Sequence, residues 1–305
     1  MSPAPPRISV AIVTFNRRAQ VTRAINSVLA QMRPDVEIVV LDNASSDGTA
    51  EHIAAQFPEV RLVRMPHNAG CPAGRNHAYA NCRGEFIVNL DDDGWLADGV
   101  FAPLLEVFAQ DERIGVVAMR QAFPDEAGDV LGKAMSASLQ DVASFSGGVC
   151  CLRRDMIVRT GGYPADFFMF AEETYLALCA LQAGYRIVSA PHIVMWHPRM
   201  GGSHSTAMDY HRFRNSMLVI ARLYPLPLLL KYLPLKVGSL LIASLSRGSF
   251  RSYVRALTDV LGSLPRTLMV RQPVSAAVVN RQRHMDKQWV EVRSDGRFSP
   301  ASRAA

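Results

Sequence analysis

The sequence predicts an α/β protein: a mostly parallel sheet flanked by helices, followed by a basic helical extension. Three observations lead there. Apolar strand-like runs alternate with helix-spaced segments through the first part of the chain, the pattern of a parallel sheet covered on both faces. Each apolar run ends in polar residues, at the edge where open α/β sheets bind ligands. Charge also divides along the chain. Residues 1–211 carry 17 Lys and Arg against 23 Asp and Glu, whereas residues 212–305 carry 16 against 4. With 305 residues, 49% of them hydrophobic, the chain can bury one large core plus an appendage.

Residues 8–13 form the first predicted strand, ending in Thr14, Phe15 and Asn16. Residues 19–32 place Val21, Ile25, Val28 and Leu29 at helical spacing. A second strand, 36–41, ends in Asp42 and Asn43, and a helix to Phe57 opens with Asp47 or Thr49 as its cap. A short strand, 60–64, leads into Asn68-Ala-Gly-Cys-Pro-Ala-Gly-Arg-Asn76 and a helix through Cys82. The next strand, 85–90, runs straight into Asp91, Asp92 and Asp93. Further on, 145–152 reads as a glycine-led strand and 153–158 as a helix. Another helix opens at Glu172 and Glu173, with Gly184 as its C-cap, and a strand follows at 185–189.

The aspartate triplet carries the most chemistry. Three adjacent carboxylates repel one another, so a folded protein needs a counter-charge there, and a hard divalent cation provides one. A solvated Asp-Gly turn accounts for the same residues, and the segment alone does not separate the two. Polar residues at four strand ends are harder to explain as helix caps, and together they describe a nucleotide-sized site. No glycine loop of the P-loop or dinucleotide type is present, which leaves a metal-carboxylate route for holding phosphates. Glu172 and Glu173 suit the first turn of a helix through its dipole. One of them also suits a general base, raised toward neutrality by apolar neighbours such as Phe168 and Phe170. His197 could ligate a metal, but spacing alone does not show it.

The five cysteines lack paired metal spacing, and the N-terminus has no apolar signal region, so reduced thiols in a cytoplasmic protein are expected. In the tail, apolar runs at 216–221, 223–230 and 237–243 are interrupted by Arg222, Lys231 and Lys236. No uncharged run reaches the ~18 residues of a spanning helix. Apolar runs among basic residues suit the interface of an anionic membrane. A packed helical subdomain or a dimer interface has the same composition. Nucleic acid is disfavoured because the tail shows none of its binding motifs.

The order of motifs resembles the inverting family 2 glycosyltransferases of the GT-A fold, most of all their rhamnosyltransferase-like bacterial members, over about residues 8 to 220. The segments concerned are Val13-Thr-Phe-Asn-Arg17, Leu41-Asp-Asn-Ala-Ser-Ser-Asp-Gly-Thr49, Asn68-Ala-Gly70, Gly74-Arg-Asn76, Asp91-Asp-Asp93, Gly161-Gly-Tyr163 through Glu173, Val194-Met-Trp-His197, and Tyr210 to Asn215. The resemblance implies a transferase domain at 1–211 and a basic extension at 212–305. It implies nucleotide-sugar contacts from Thr14, Phe15, Asn16, Asp42, Asn68, Gly70, Arg75, Asn76, Asp91 and Asp92. It implies a Mg2+ or Mn2+ site at Asp93, Asp91 and His197, and a base at Glu173 or Glu172. One departure stands out: the family's usual E-D pair is Glu172-Glu173 here, which leaves the base open between them. The donor would be a nucleotide-diphosphate sugar and the acceptor a glycan or lipid-linked hydroxyl, at the inner face of the cell membrane. A sugar nucleotidyltransferase, a transferase for a soluble acceptor and a non-enzymatic carbohydrate-binding protein are the alternatives.

Overall fold

The computed structural model describes residues 5–124, 139–198 and 205–294. Strands β1 (Ile8–Thr14), β2 (Val36–Asp42), β3 (Arg61–Arg64) and β4 (Phe86–Asp91) form a parallel half-sheet in the order β3-β2-β1-β4. Helices α1 (Arg18–Leu29), α2 (Thr49–Gln56) and α3 (Cys71–Ala80) connect them. All seven residues of β2 are buried, which is why Ile38–Leu41 reads as an unbroken apolar run; the buried Glu37 accepts from Ser9 Oγ at 2.6 Å. Helix α1 buries Val21, Ala24, Ile25 and Val28, one face at the helical period. The N-cap of α2 is Gly48, at φ +80°, and neither Asp47 nor Thr49; Asp47, one residue earlier, accepts the Thr49 N–H at 3.0 Å through Oδ1 and braces the turn into the helix.

The second half of the sheet is mixed. It contains β5 (Trp95–Leu96), α4 (Phe101–Gln110), β6 (Ile114–Ala122), β7 (Gln140–Asp141), β8 (Val149–Arg153), α5 (Arg154–Thr160), α6 (Glu172–Gln182) and β9 (Arg186–Trp196). The sheet continues from β4 as β8-β6-β9-β5, with β7 pairing β9. β8 runs antiparallel to both β4 and β6. That reversal matters for the site: Leu90 pairs with Val149, so the Gly147-Gly148 turn before β8 abuts the aspartate end of β4. The predicted strand at 145–152 is therefore a turn followed by a shorter strand. β9 is longer than predicted; its register to β6 shifts between Met119 and Arg120, where Pro191 cannot donate to the ladder. Beyond the shift it delivers His197 to the same edge. Gly184 stands one residue past the C-cap Ala183, with φ +86°. The N–H groups of Gly184 and Tyr185 close on the carbonyls of Leu181 and Ala180.

The basic tail is helical: α7 (Thr206–Leu223), α8 (Leu226–Ser246), α9 (Phe250–Val270) and α10 (Ala276–Ser294). It is no loose appendage. α7 runs through residue 212 without a break, and Met217, Tyr253 and Val279 share one apolar cluster with Phe167 and with Leu178 of α6. Gln282 of α10 donates to the carbonyl of Ala143. α8 is long and apolar enough, by length and composition, to cross a membrane, although Lys231 and Lys236 lie within it. Its outward stripe of Leu226, Leu230, Leu235, Ile242 and Leu245 is 58–71% exposed. All five cysteines are free thiols, with Cys150 and Cys151 packed in the core.

Candidate active site

The strand register assembles the first part of the site. Thr14 stands opposite Asp42 and Val13 opposite Asp91, so the ends of β1, β2 and β4 lie side by side. Asp42 is buried; its Oδ2 accepts the Ser45 N–H at 3.0 Å, and its Oδ1 has no partner. A buried, unsatisfied carboxylate oxygen is costly and marks a place where a ligand N–H belongs. Phe15 is exposed beside it. Three predicted binding residues spend their carboxamides on the scaffold. Asn16, at φ +54°, accepts the Ser46 N–H at 2.8 Å and ties two site loops together. Asn68 accepts the Gly70 N–H at 2.9 Å. Asn76 accepts the N–H of Tyr163 at 2.9 Å and donates to its carbonyl at 2.8 Å. Gly70 has φ +83°, and a Cβ there would run into the main chain of Phe168. Only glycine lets these loops meet so closely.

The three aspartates diverge. Asp91 accepts from Arg75 Nη2 at 2.9 Å. Asp92 points inward, and burial pushes its carboxyl up to about 6 despite Arg17 Nη1 at 3.2 Å. Burial opposes ionisation of Asp93 too, but His197 and Arg17 win and hold it at about 2. Arg17 Nη1 lies 2.5 Å and His197 Nε2 3.0 Å from its oxygens. His197 is raised: burial disfavours the imidazolium, yet the bond to Asp93 outweighs burial. Its Nδ1 lies 2.7 Å from the Pro198 carbonyl, the partner that fixes a ligating imidazole with Nε2 toward the metal. Ligand atoms of Asp91, Asp93 and His197 all fall within 4.8 Å of one another. Two carboxylates and an imidazole converging on one point fit a divalent cation.

Arg75 joins this cluster to the glutamates. It is 4% exposed, and its Nη1 lies 3.5 Å from Glu172 Oε1 and 3.8 Å from Glu173 Oε1. Glu173 accepts the Gly147 N–H at 3.2 Å. Its side chain is 24% exposed, against 5% for Glu172. Burial raises the proton affinity of both, with Arg75 opposing. Phe170 and Ala171, just before them, sit at φ +69° and +67°, strained values for residues with side chains. Asn215 of α7, fully buried, holds that corner by donating to the Met169 and Phe170 carbonyls at 2.8 and 3.1 Å.

Sequence reasoning missed several of these parts. Gly147 and Gly148 leave the room that Arg75, Glu173 and Asp91 occupy, where a Cβ would collide; the double glycine was the signal. Arg17 neutralises Asp92 and Asp93, and Asn43 clamps the 68–70 turn through Nδ2 to Asn68 at 3.0 Å. Neither contact is local in sequence.

Residues 9–156 match the family model of Glycosyl transferase family 2. A succinoglycan biosynthesis protein, ExoO, of Rhizobium meliloti is 37% identical over 29% of the chain and 26% of its own length. A GalNAc(5)-diNAcBac-PP-undecaprenol beta-1,3-glucosyltransferase of Campylobacter jejuni is 32% identical over 33% of the chain and 34% of its own length. The chain thus spans well under half of the curated relatives it matches. Among solved structures, S. aureus TarS 1–349 in complex with UDP-GlcNAc superposes with a TM-score of 0.62 at 18% identity, covering 96% of this chain and 93% of that one. The mannosyltransferase PcManGT of Pyrobaculum calidifontis, solved with GDP-Man and Mn2+, gives 0.56 at 21% identity, covering 95% and 83%. The architecture is the GT-A fold, and its first half, residues 9–156, is similar to glycosyl transferase family 2.

Proposed function

We propose that this chain transfers a sugar from a nucleotide-diphosphate sugar to an acceptor hydroxyl, with inversion at the anomeric carbon. One observation carries the reading: Arg75 stands between a cation-fit cluster (Asp91, Asp93, His197) and a buried glutamate pair. Asp42 Oδ1 would accept an N–H of the base, with Thr14 and Phe15 alongside. Asn16, Asn68, Gly70 and Asn76 shape the loops around the nucleotide, and Asp92 fixes Arg17. Asp93, Asp91 and His197 would hold a divalent cation, Mn2+ in preference to Mg2+ because one donor is an imidazole. When bound, that ion neutralises charge developing on the departing nucleoside diphosphate. Glu173, the more accessible glutamate, takes the acceptor proton as the oxygen attacks the anomeric carbon. The new C–O bond forms as the bond to the phosphate oxygen breaks. Glu172 sits deeper, where burial and the charge of Glu173 raise its proton affinity.

The relatives' names support a glycan or lipid-linked acceptor in cell-envelope synthesis; the donor would be a hexosyl or, on the motif resemblance alone, a rhamnosyl nucleotide. Residues 1–211 would be the transferase domain. Residues 212–305 would bring it to the inner face of an anionic membrane through the apolar stripe of α8 and the basic charge around it; a second copy of the chain is the competing occupant. The test is a panel of sugar nucleotides with Mn2+. Donor-dependent release of nucleoside diphosphate, abolished by chelator, is the expected result. Release of pyrophosphate from a nucleoside triphosphate and sugar phosphate would replace this reading with a nucleotidyltransferase.

A further inference from the structure

A groove of about 710 Å³ lies between α7 and α9, a volume typical of ligand sites. Neither Asp42 nor the aspartate triplet lines it, so it is separate from the donor pocket. It borders the loop that ends in the glutamate pair. Asp166 of that loop lines the groove, and His211 on its wall stacks on Phe168 with ring centroids 5.2 Å apart. The helix that forms one wall also supplies Asn215, which braces the main chain just before Glu172.

The lining is charge-balanced although the tail around it is strongly basic. Arg214 and Arg266 face Asp166 and Asp259. Burial and the neighbouring Arg214 and Arg255 lower the proton affinity of His211. The polar groups are also held in place. Arg222 binds Asp166 through two contacts at 2.7 and 2.6 Å, and Arg214 donates to Asn215 Oδ1 at 2.9 Å. Tyr210 donates its hydroxyl to Asp259, and Thr258 and Ser263 add hydroxyls. An anion would meet two carboxylates, Asp166 and Asp259, on this wall. Rings beside fixed carboxylates and guanidinium groups match a ligand with apolar C–H faces and many hydroxyls.

We propose that this groove is the acceptor site and that it takes an uncharged, hydroxyl-rich stretch of glycan. The inference rests on the transferase reading and adds the place and chemistry of the acceptor.

Gly262 of α9 lines the groove, and a Cβ there would meet nothing within 4 Å. Gly262→Trp therefore starts from an open position and projects an indole from the groove wall, with the melting temperature read alongside to confirm that packing is kept. Gly238→Trp on α8, equally open and outside the groove, is the control, and Arg266→Ala is a second, milder variant. The probes are neutral saccharides (cellobiose, lactose, chitobiose, maltotriose) and inorganic pyrophosphate, followed by saturation-transfer NMR on the full chain. At least one saccharide should bind the wild type and Gly238→Trp. Gly262→Trp should weaken it about tenfold or more and Arg266→Ala by several-fold, with sugar-nucleotide affinity unchanged. The proposal is overturned if no saccharide binds the wild type, if saccharides bind all variants alike, or if only pyrophosphate is displaced from the groove. Sugar-nucleotide binding is read separately. Its absence from the wild type would remove the transferase reading, while the saccharide result would still report on the groove.

Discussion

Asp93 is the residue on which the cation site turns, because it alone touches both Arg17 and His197. Asp93→Ala is expected to lower Mn2+-dependent turnover by about 100-fold or more. Near wild-type rates with chelator present would remove the cation from the account. The glutamates divide differently. Glu173→Gln keeps the shape but cannot accept a proton, so kcat should fall by about 100-fold or more with donor KM little changed. Glu172→Gln should cost less. The pH dependence has a definite sign. A proton acceptor works only when ionised, and burial raises the affinity of Glu173 for its proton. Activity should therefore rise with pH through a limb above the ordinary carboxylate range. Glu172 is pushed up to about 8 by burial and by Glu173, so it keeps its proton through that limb and Glu172→Gln should leave the limb in place. A limb at an ordinary carboxylate value, or one moved to lower pH by Glu172→Gln, would break this division of the pair. The aspartates, the glutamates and His197 were legible in the sequence because their types and order are distinctive. The grouping of Asp91, Asp93 and His197 was expected from the order of the motifs, whereas their link to the glutamates was not legible, since it depends on Arg75 reaching across the fold.

At the scale of elements, the parallel half-sheet could be read almost strand by strand, since strands buried on both faces are continuous apolar runs bounded by turns. The mixed half could not. The reversed β8 follows a turn whose sense no periodicity encodes, and α4 and β6 passed unread between the motifs despite Phe101, Leu104, Val107 and Phe108 at helical spacing. α7 shows how an element far along the chain acts on the site. Asn215 fixes two carbonyls of a strained corner, so Asn215→Ala leaves them without their donor and should cost about 1–3 kcal/mol of stability. It should also lower kcat more than it raises donor KM, because the corner aims the glutamates and touches no donor atom. Asn215→Asp, which keeps the shape but not the donor, should behave like the alanine variant. Equal losses in kcat and donor affinity would make Asn215 an ordinary core residue.

At the scale of the molecule, the tail shares its core with α6, so deleting residues 247–305 would remove α9 from that core and report on folding. Point changes on the α8 stripe are the cleaner probe. Leu230→Glu with Ile242→Glu should abolish co-sedimentation with anionic vesicles at low salt and leave the melting temperature within about 3 °C, as expected of exposed positions. Vesicle binding that survives both changes would assign the stripe another partner. Arg75 has a wider consequence. It belongs to the parallel half, yet it spans the seam to the mixed half and is shared by Asp91 on one side and the glutamates on the other. The two sides compete for one cation. A metal ion held by Asp91 would leave the guanidinium free to favour ionised glutamate. Loading the donor end would then arm the acceptor end without any segment moving, an interlock that would keep the base idle until there is something to transfer. It should appear as an acidic limb that shifts to lower pH as Mn2+ is raised, and Arg75→Met should erase that shift.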